Sequence, residues 1–393
     1  MSIQTDSKKI QELLTRGVEE VIDKEQLEKK LKSGKPLRIK LGIDPTSPNI
    51  HIGRSIPLLK LRDFQELGHQ IVFIIGDFTG VIGDTSDKES ERPMLTQEKV
   101  NENLQNYIKQ AGKIIDIDKC EVHHNSEWLG KLTYHEIGRQ ADAFSLNEFM
   151  SRENIAKRLD AGKRVSLREL LYPLMQGYDS VAIKSDVEVG GTDQRFNLLA
   201  GRTLQRAYGQ EAQDILTNPL IEGLDGRKMS SSWGNVINLF DTANDMFGKV
   251  MSLQDELIIK YFTFTTRVDL DVVAEYQKEL SAGTNPRDIK MKLASELVRM
   301  YHSAEDAVAA QEYFISTFSK KETPDVMPDL TPSVYDILTV LVEAGFAPTR
   351  SEARRTIEQK GVKVNEVIVE DAKLEVKKGD VLQKGKRFFV RVA

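Results

Sequence analysis

With 393 residues, 55 Lys/Arg against 60 Asp/Glu and a net charge of -5, the chain is long enough for two or three domains, each with its own core, and lacks the basic excess of a general nucleic-acid binder. One cysteine, Cys120, excludes an internal disulfide and any multi-thiolate zinc site, and no apolar run approaches the roughly 18 residues of a membrane span. The N-terminus, MSIQTDSKKIQELL, reads as neither signal nor transit peptide, so a cytoplasmic protein with no membrane partner and no protein-bound structural metal is expected.

Apolar residues recur at helical spacing over 10–31, predicting helix there, in one piece or as two helices around Gly17, and 37–43 reads as a first strand. Residues 41–55, LGIDPTSPNIHIGRS, then cross a loop broken by Pro45 and Pro48 and open a helix over 56–67 at His51, Gly53 and Arg54. A strand, a loop and a basic helix start form an anion site, because the first helical amides and the helix dipole favour phosphate. The apolar run 71–75 is a buried parallel strand, completing a βαβ unit. It spills into GDFTGVIGDTSDKESERP, where glycines allow a tight backbone and Asp77, Asp84 and Asp87 supply carboxylates at the carboxyl end of a strand.

Helix is predicted over 96–115, a short strand over 121–124, and helices over 134–150 and 167–178. VEVGGTDQRFNLLAGRTLQ is again strand, glycine turn and helix, and a strand over 214–221 leads into EGLDGRKMSSSWGN. Beyond Phe240 the pattern is helical, over 255–261, 269–280, 286–302 and 304–318; three prolines in 319–332 mark a linker. The remainder reads as helices over 334–344 and 351–360 with strands over 362–365 and 388–392. From Ser333 onward 12 Lys/Arg face 9 Asp/Glu, a surplus of +3 that leaves -8 for the rest.

Three stretches carry chemistry. HIGR offers His51 and Arg54 at a helix start. KMSSS, Lys228 to Ser232, sets a flexible ammonium beside hydroxyls in a glycine-flanked loop, suited to reaching phosphates. Tyr172, Gln176 and Asp179 stand at i, i+4 and i+7 on one helix face, so all three can enter one pocket. His123 and His124 are adjacent on a strand, face opposite ways and read as structural. Trp128 and Trp233 read as packing residues, with Trp233 also a hinge of the KMSSS loop.

DPT and HIGR, GGTDQ and KMSSS, in this order and spacing, resemble the active site of class I aminoacyl-tRNA synthetases. Together with GDFTGVIGD, LLYPLMQGYDS and NPRDIKMKLA they are closest to the bacterial tyrosyl-tRNA synthetase family with a KMSxS loop. The resemblance implies an α/β fold in three parts. A Rossmann-like catalytic domain over 1–240 carries a dimer-interface insertion at about 116–180; an α-helical anticodon-side domain over 241–318 and the linker 319–332 lead to a small α+β RNA-binding domain over 333–393. It implies tyrosine activation by ATP, with Mg²⁺ accompanying the nucleotide, then transfer of the tyrosyl group to tRNA(Tyr) by a homodimer.

By the same resemblance His51, Arg54, Lys228 and Ser231 are catalytic. ATP is met by Asp44, Thr46, His51, Gly53, Gly191, Asp193, Lys228, Met229, Ser230, Ser231 and Ser232. Tyrosine is met by Lys40, Gly42, Asp84, Tyr172, Gln176, Asp179 and Gln194, with Asp179 accepting from the phenol hydroxyl. A buried acceptor rejects a substrate lacking the hydroxyl, an effect for which tyrosyl-tRNA synthetases are themselves the usual illustration. Two residues depart from the family pattern: Arg54 replaces the second histidine of HIGH, and Lys40 stands where many relatives carry a phenol-contacting tyrosine. The tail resembles the RNA-binding domain named after ribosomal protein S-four, with Arg350, Arg354, Arg355, Lys360 and Lys363 as its cationic face. Two rival readings are a tryptophan-specific synthetase and a catalytically impaired paralogue that binds RNA.

Overall fold

In the computed structural model, which describes residues 3–84, 96–319, 327–385 and 388–393, the first compact unit, Met1–Ala304, is built on a six-stranded sheet. The expected carboxylate Asp87 and residues 320–326 of the expected linker lie outside the described residues. The strands are β1 (Glu20–Ile22), β2 (Arg38–Ile43), β3 (Gln70–Ile75), β4 (Glu121–His124), β5 (Val187–Gly191) and β6 (Asp214–Asn218), in the order β1-β6-β5-β2-β3-β4. All neighbours are parallel except β1, antiparallel to β6. From β2 the chain passes to β3 on one side and later to β5 on the other. Loops therefore diverge at the carboxyl ends of β2 and β5 and leave a crevice there.

The βαβ unit forms as its apolar runs predict: Ile71 to Ile75 are buried, and the helix Ile52–Glu66 packs Ile56, Leu59 and Phe64 inward. Over 10–31 the outcome differs. The chain makes helices Ser7–Leu13 and Lys24–Lys32 with β1 between them. Gly17 at φ +60 turns the backbone, and Val21 and Ile22 pair with Leu216 and Ile215 of β6. That pairing satisfies backbone groups at the edge of β6, which local periodicity cannot register.

The helix expected over 134–150 is two helices, Tyr134–Ala141 and Leu146–Met150, and Glu153–Asp160 is a further one. Capping boxes start three helices of this region, at Thr133 with Glu136, Ser145 with Glu148 and Ser166 with Glu169. The last opens the helix Leu167–Ile183, which lies against Arg195–Ala207. Contact is close at Gly177, where a Cβ would stand 3.0 Å from the Ala200 carbonyl carbon. Helices Ala243–Met251, Ile258–Thr265, Leu270–Ser281 and Pro286–Tyr301 complete the unit. Tyr301 Oη donates to Ser55 Oγ at 3.0 Å, tying the last of them to the helix that follows β2.

In the second unit, Glu305–Ala393, helices Ile337–Glu343 and Arg350–Glu358 pack on a second sheet. Its strands are β7 (Asp329–Leu330), β8 (Val362–Val364), β9 (Val367–Ile368), β10 (Val381–Lys384) and β11 (Phe388–Val392), in the order β7-β11-β10-β8-β9. Ile337, Leu341, Ile357, Val362, Leu382 and Val392 form its core. Asn365 and Glu366, at φ +47 and +69, make the two-residue turn between β8 and β9.

Because the Gly177 contact is with backbone, it cannot relax by a rotamer change. Gly177→Ala should destabilise the protein by about 1–3 kcal/mol, measured as a fall of several degrees in thermal midpoint.

Candidate active site

At the carboxyl ends of β2, β3, β5 and β6 lies a cavity of about 300 Å³. It brings together Gly42, Asp44 and Thr46 from β2 and its loop, His51, Gly53 and Arg54 from the following helix start, and Asp84. Tyr172, Gln176 and Asp179 reach it from the helix Leu167–Ile183, Gly191, Asp193 and Gln194 from the end of β5, and Lys228 to Ser232 from the loop after β6. Of the residues assigned to ATP or tyrosine in this unit only Lys40 is missing from the wall, fully buried behind it; of the loop carboxylates Asp77 also stands outside it, accepting from the Ser126 N–H and hydroxyl.

His51 is the N-cap of the helix Ile52–Glu66 and its Nδ1 accepts from the Arg54 backbone N–H at 3.3 Å. Burial, reinforced by the charges of Arg54 and Lys228, pushes its pKa down to about 3. The ring is thus neutral at pH 7, and with Nδ1 accepting, the hydrogen-bond network assigns its proton to Nε2. Arg54 donates to Ser47 Oγ at 3.5 Å and to the Tyr107 hydroxyl, so its longer side chain is braced by the helix Gln97–Ala111.

Two distant motifs touch directly here. The Gly53 N–H points at the Met229 sulfur at 3.3 Å, and the Met229 N–H donates to the Ile221 carbonyl. Gly53 is held to glycine by space: a Cβ would stand 3.1 Å from His51 Nδ1 and 3.3 Å from Ile221 Cγ2. Buried Asn235 shapes the loop, accepting from the Ser230 N–H at 2.9 Å and donating to the Lys228 carbonyl at 3.1 Å. Lys228 Nζ lies 3.3 Å from Asp193 Oδ2. Trp233 is half exposed and its ring carries the Arg227 guanidinium at 4.7 Å.

The other end of the cavity is acidic. Asp44 accepts from Thr79 Oγ1 at 2.7 Å and from the Tyr172 hydroxyl at 2.8 Å. Burial, then the carboxylates of Asp44 and Asp84, raises the Tyr172 pKa well above its ordinary value, so the phenol stays a donor. Gln194 Nε2 donates to Asp84 at 2.8 Å. Asp179 accepts from the Trp128 indole N–H at 2.8 Å and from Asn125 Nδ2 at 3.4 Å. Burial pushes its pKa up to about 7 from an ordinary 3.8; Lys40, Trp128 and Asn125 act against the rise.

Sequence reasoning missed Thr79, Asn125, Ser47 and Tyr107 and assigned Trp128 to packing. Asn125 follows β4 immediately, and that position at the carboxyl edge of the sheet was a usable signal. Tyr107, on an ordinary amphipathic helix, carried none. His123 and His124 lean on Glu127 and Asp77 at 3.4 Å each, outside the cavity.

In the second unit Arg350 pairs with Asp336 at 2.8 Å, Arg355 with Glu352 at 2.6 Å and Lys360 with Glu370 at 2.7 Å. Arg354 is exposed and makes no ion pair among the described residues. Lys363 lies on β8, half-buried.

A doubly wound sheet whose switch point joins HIGR to a KMSSS loop defines a class I aminoacyl-tRNA synthetase. Residues 32–319 match the family described as tRNA synthetases class I (W and Y), and residues 337–382 match the S4 domain. The chain belongs to this tryptophan and tyrosine family of class I synthetases. It is 46% identical over 390 residues to a tyrosine–tRNA ligase of Moorella thermoacetica, covering 97% of this chain and 94% of that protein. With a tyrosine–tRNA ligase of Thermotoga maritima it shares 46% identity over 97% and 96% of the two chains. The fold is shared with an Archaeoglobus fulgidus tyrosyl-tRNA synthetase solved with L-tyrosine, at a TM-score of 0.63 and 24% identity, covering 78% of this chain and 99% of that one.

The raised Asp179 pKa has a definite sign for stability. The folded state holds this carboxyl's proton more tightly than the unfolded chain, so ionisation there opposes folding. The penalty is absent below about pH 4, grows with pH and is complete above about pH 7. Asp179→Asn should therefore raise the thermal midpoint more at pH 8 than at pH 5, compared by melting both proteins at each pH.

Proposed function

We propose that this chain is a tyrosine–tRNA ligase that activates tyrosine with ATP and charges tRNA(Tyr). The observation that carries the reading is the division of one cavity into a cationic and an acidic end, at His51, Arg54 and Lys228 and at Asp44, Asp84 and Asp179. ATP phosphates suit the first, and the ammonium and phenol of tyrosine suit the second. The tyrosine carboxylate attacks the α-phosphorus of ATP, forming the mixed anhydride and expelling pyrophosphate. A ribose hydroxyl of the 3′-terminal adenosine of tRNA then attacks the carboxyl carbon, releasing AMP.

Charge grows on phosphate oxygens in the first step, so donors that bind it more strongly in the transition state lower the barrier. His51 supplies Nε2–H as a neutral donor; Arg54 and Lys228 supply permanent charge, and Ser230, Ser231 and Ser232 add hydroxyls and amides. Asp193 accepts from the ribose once Lys228 turns to the phosphates, and Gly191 keeps backbone at the nucleotide. Asp84, Tyr172 and Gln176 face the α-ammonium, and Asp179 accepts from the phenol. Mg²⁺ accompanies the nucleotide phosphates, since it is commonly held through substrate phosphates with few protein ligands.

The S4 segment binds RNA, and tRNA is the substrate that unites it with the catalytic unit. A homodimer is supported by apolar side chains exposed on the insertion, with Tyr134 94%, Leu167 79% and Leu146 62% exposed. Among the described residues no helix is long and apolar enough to cross a membrane. A cytoplasmic setting suits a lone half-buried thiol, Cys120.

ATP–pyrophosphate exchange tests the reading. Tyrosine should drive exchange; tryptophan-driven exchange, or none with any amino acid, would refute it. Asp179→Asn should lower the tyrosine-to-phenylalanine ratio of kcat/KM by roughly 5- to 150-fold, since a buried acceptor without its donor costs on the order of 1–3 kcal/mol. Arg354→Ala should weaken tRNA binding and reduce the slope of log affinity against log salt by a little under one, as expected for a single phosphate contact.

A further inference from the structure

Lys40 on β2 and Glu188 on β5 are opposite one another in the sheet register, 0% and 1% exposed, with Nζ 2.9 Å from Oε1. Neither belongs to the cavity wall. The ammonium uses its other two donors on the Gln176 carbonyl and on Ser180 Oγ, both at 2.8 Å. Glu188 is as fully engaged: it accepts from Gln176 Nε2 at 3.2 Å, from Ser180 Oγ at 3.1 Å and from Gln213 Nε2. The network closes on Gln176, which is the one member of it that lines the cavity.

A side-chain amide presents a donor at one end and an acceptor at the other. An ionised carboxylate can only accept, so the NH₂ of Gln176 must turn to Glu188, and its Oε1 is left for the cavity. An acceptor there attracts an ammonium and repels a carboxylate. We infer that Lys40 and Glu188 are positioning residues that fix the polarity of Gln176, and through it the preference of the site for an amino acid's α-ammonium group. Glu188 dictates the direction of the amide; Lys40 makes a buried carboxylate tolerable and, through the Gln176 and Ser180 contacts, clamps the helix that carries the pocket. Lys40 thus serves the substrate from behind the wall instead of touching it. The choice of ligand rests on the proposed tyrosine activation.

The test compares equilibrium binding of tyrosine and of 3-(4-hydroxyphenyl)propionate, which lacks only the amino group. In Glu188→Gln the amide direction is no longer dictated. Tyrosine should bind at least tenfold more weakly while the desamino compound and the KM for ATP stay within twofold. The double variant Lys40→Met/Glu188→Gln removes both charges together, avoids an unpaired buried ion and should show the same loss of preference. A general loosening of the pocket would weaken both ligands alike, and that result, or an unchanged ratio in both folded variants, overturns the inference. If the wild-type protein itself binds no tyrosine, the proposed function fails instead.

Discussion

The Asp44 carboxylate joins three parts of the chain that lie far apart in sequence. One oxygen accepts from Thr79, which opens the short helix Thr79–Ile82 after β3, and the other from Tyr172, on the helix Leu167–Ile183. Gly76 makes the junction possible, since a Cβ there would stand 1.9 Å from Asp44 Oδ1. The walls of the cavity depend on this carboxylate being held from both sides. It is also why the acidic end of the site is rigid: a carboxylate with two short hydrogen bonds to buried partners has little freedom to reorient.

Around that junction the cavity uses one electrostatic rule twice. At one end donors and cations gather where a helix begins, and the imidazole of His51 is kept neutral first by burial and then by the same charges that make the place favourable to phosphate. At the other end carboxylates face neutral donors, and Asp179, the buried one, bears the cost as a pKa raised to about 7. Stability is given up locally so that an acceptor stands ready for a substrate hydroxyl. The Met229 to Gly53 contact binds the phosphate-facing motifs to each other, so the loop after β6 is registered against the helix after β2.

Much of this was legible in the residues. The βαβ unit, the glycine turn after β5 and the three-residue face Tyr172, Gln176 and Asp179 follow from local periodicity, and local periodicity is read from neighbours in sequence. The departures share another cause. Val21 and Ile22 became strand because β6 offered an edge, and Trp128 became a partner of Asp179 because β4 ends beside that helix. The break at Ser145 was written in its capping box and was outweighed by an apolar spacing that continues through it.

Lys40 marks the boundary most clearly. The family resemblance brought it among the candidate tyrosine contacts, at the position where many relatives carry a tyrosine, and the alternation of side chains in a strand sets only which face of the sheet it occupies. Whether it met substrate or another side chain depended on what stood opposite in β5, and that is Glu188, some 150 positions away. By itself the sequence determined the secondary elements with strong periodicity, the motifs and the chemical character of each end of the site. Only the tertiary structure decided partners, burial and the direction of each donor, because those properties belong to pairs of residues that meet solely when the sheet is assembled.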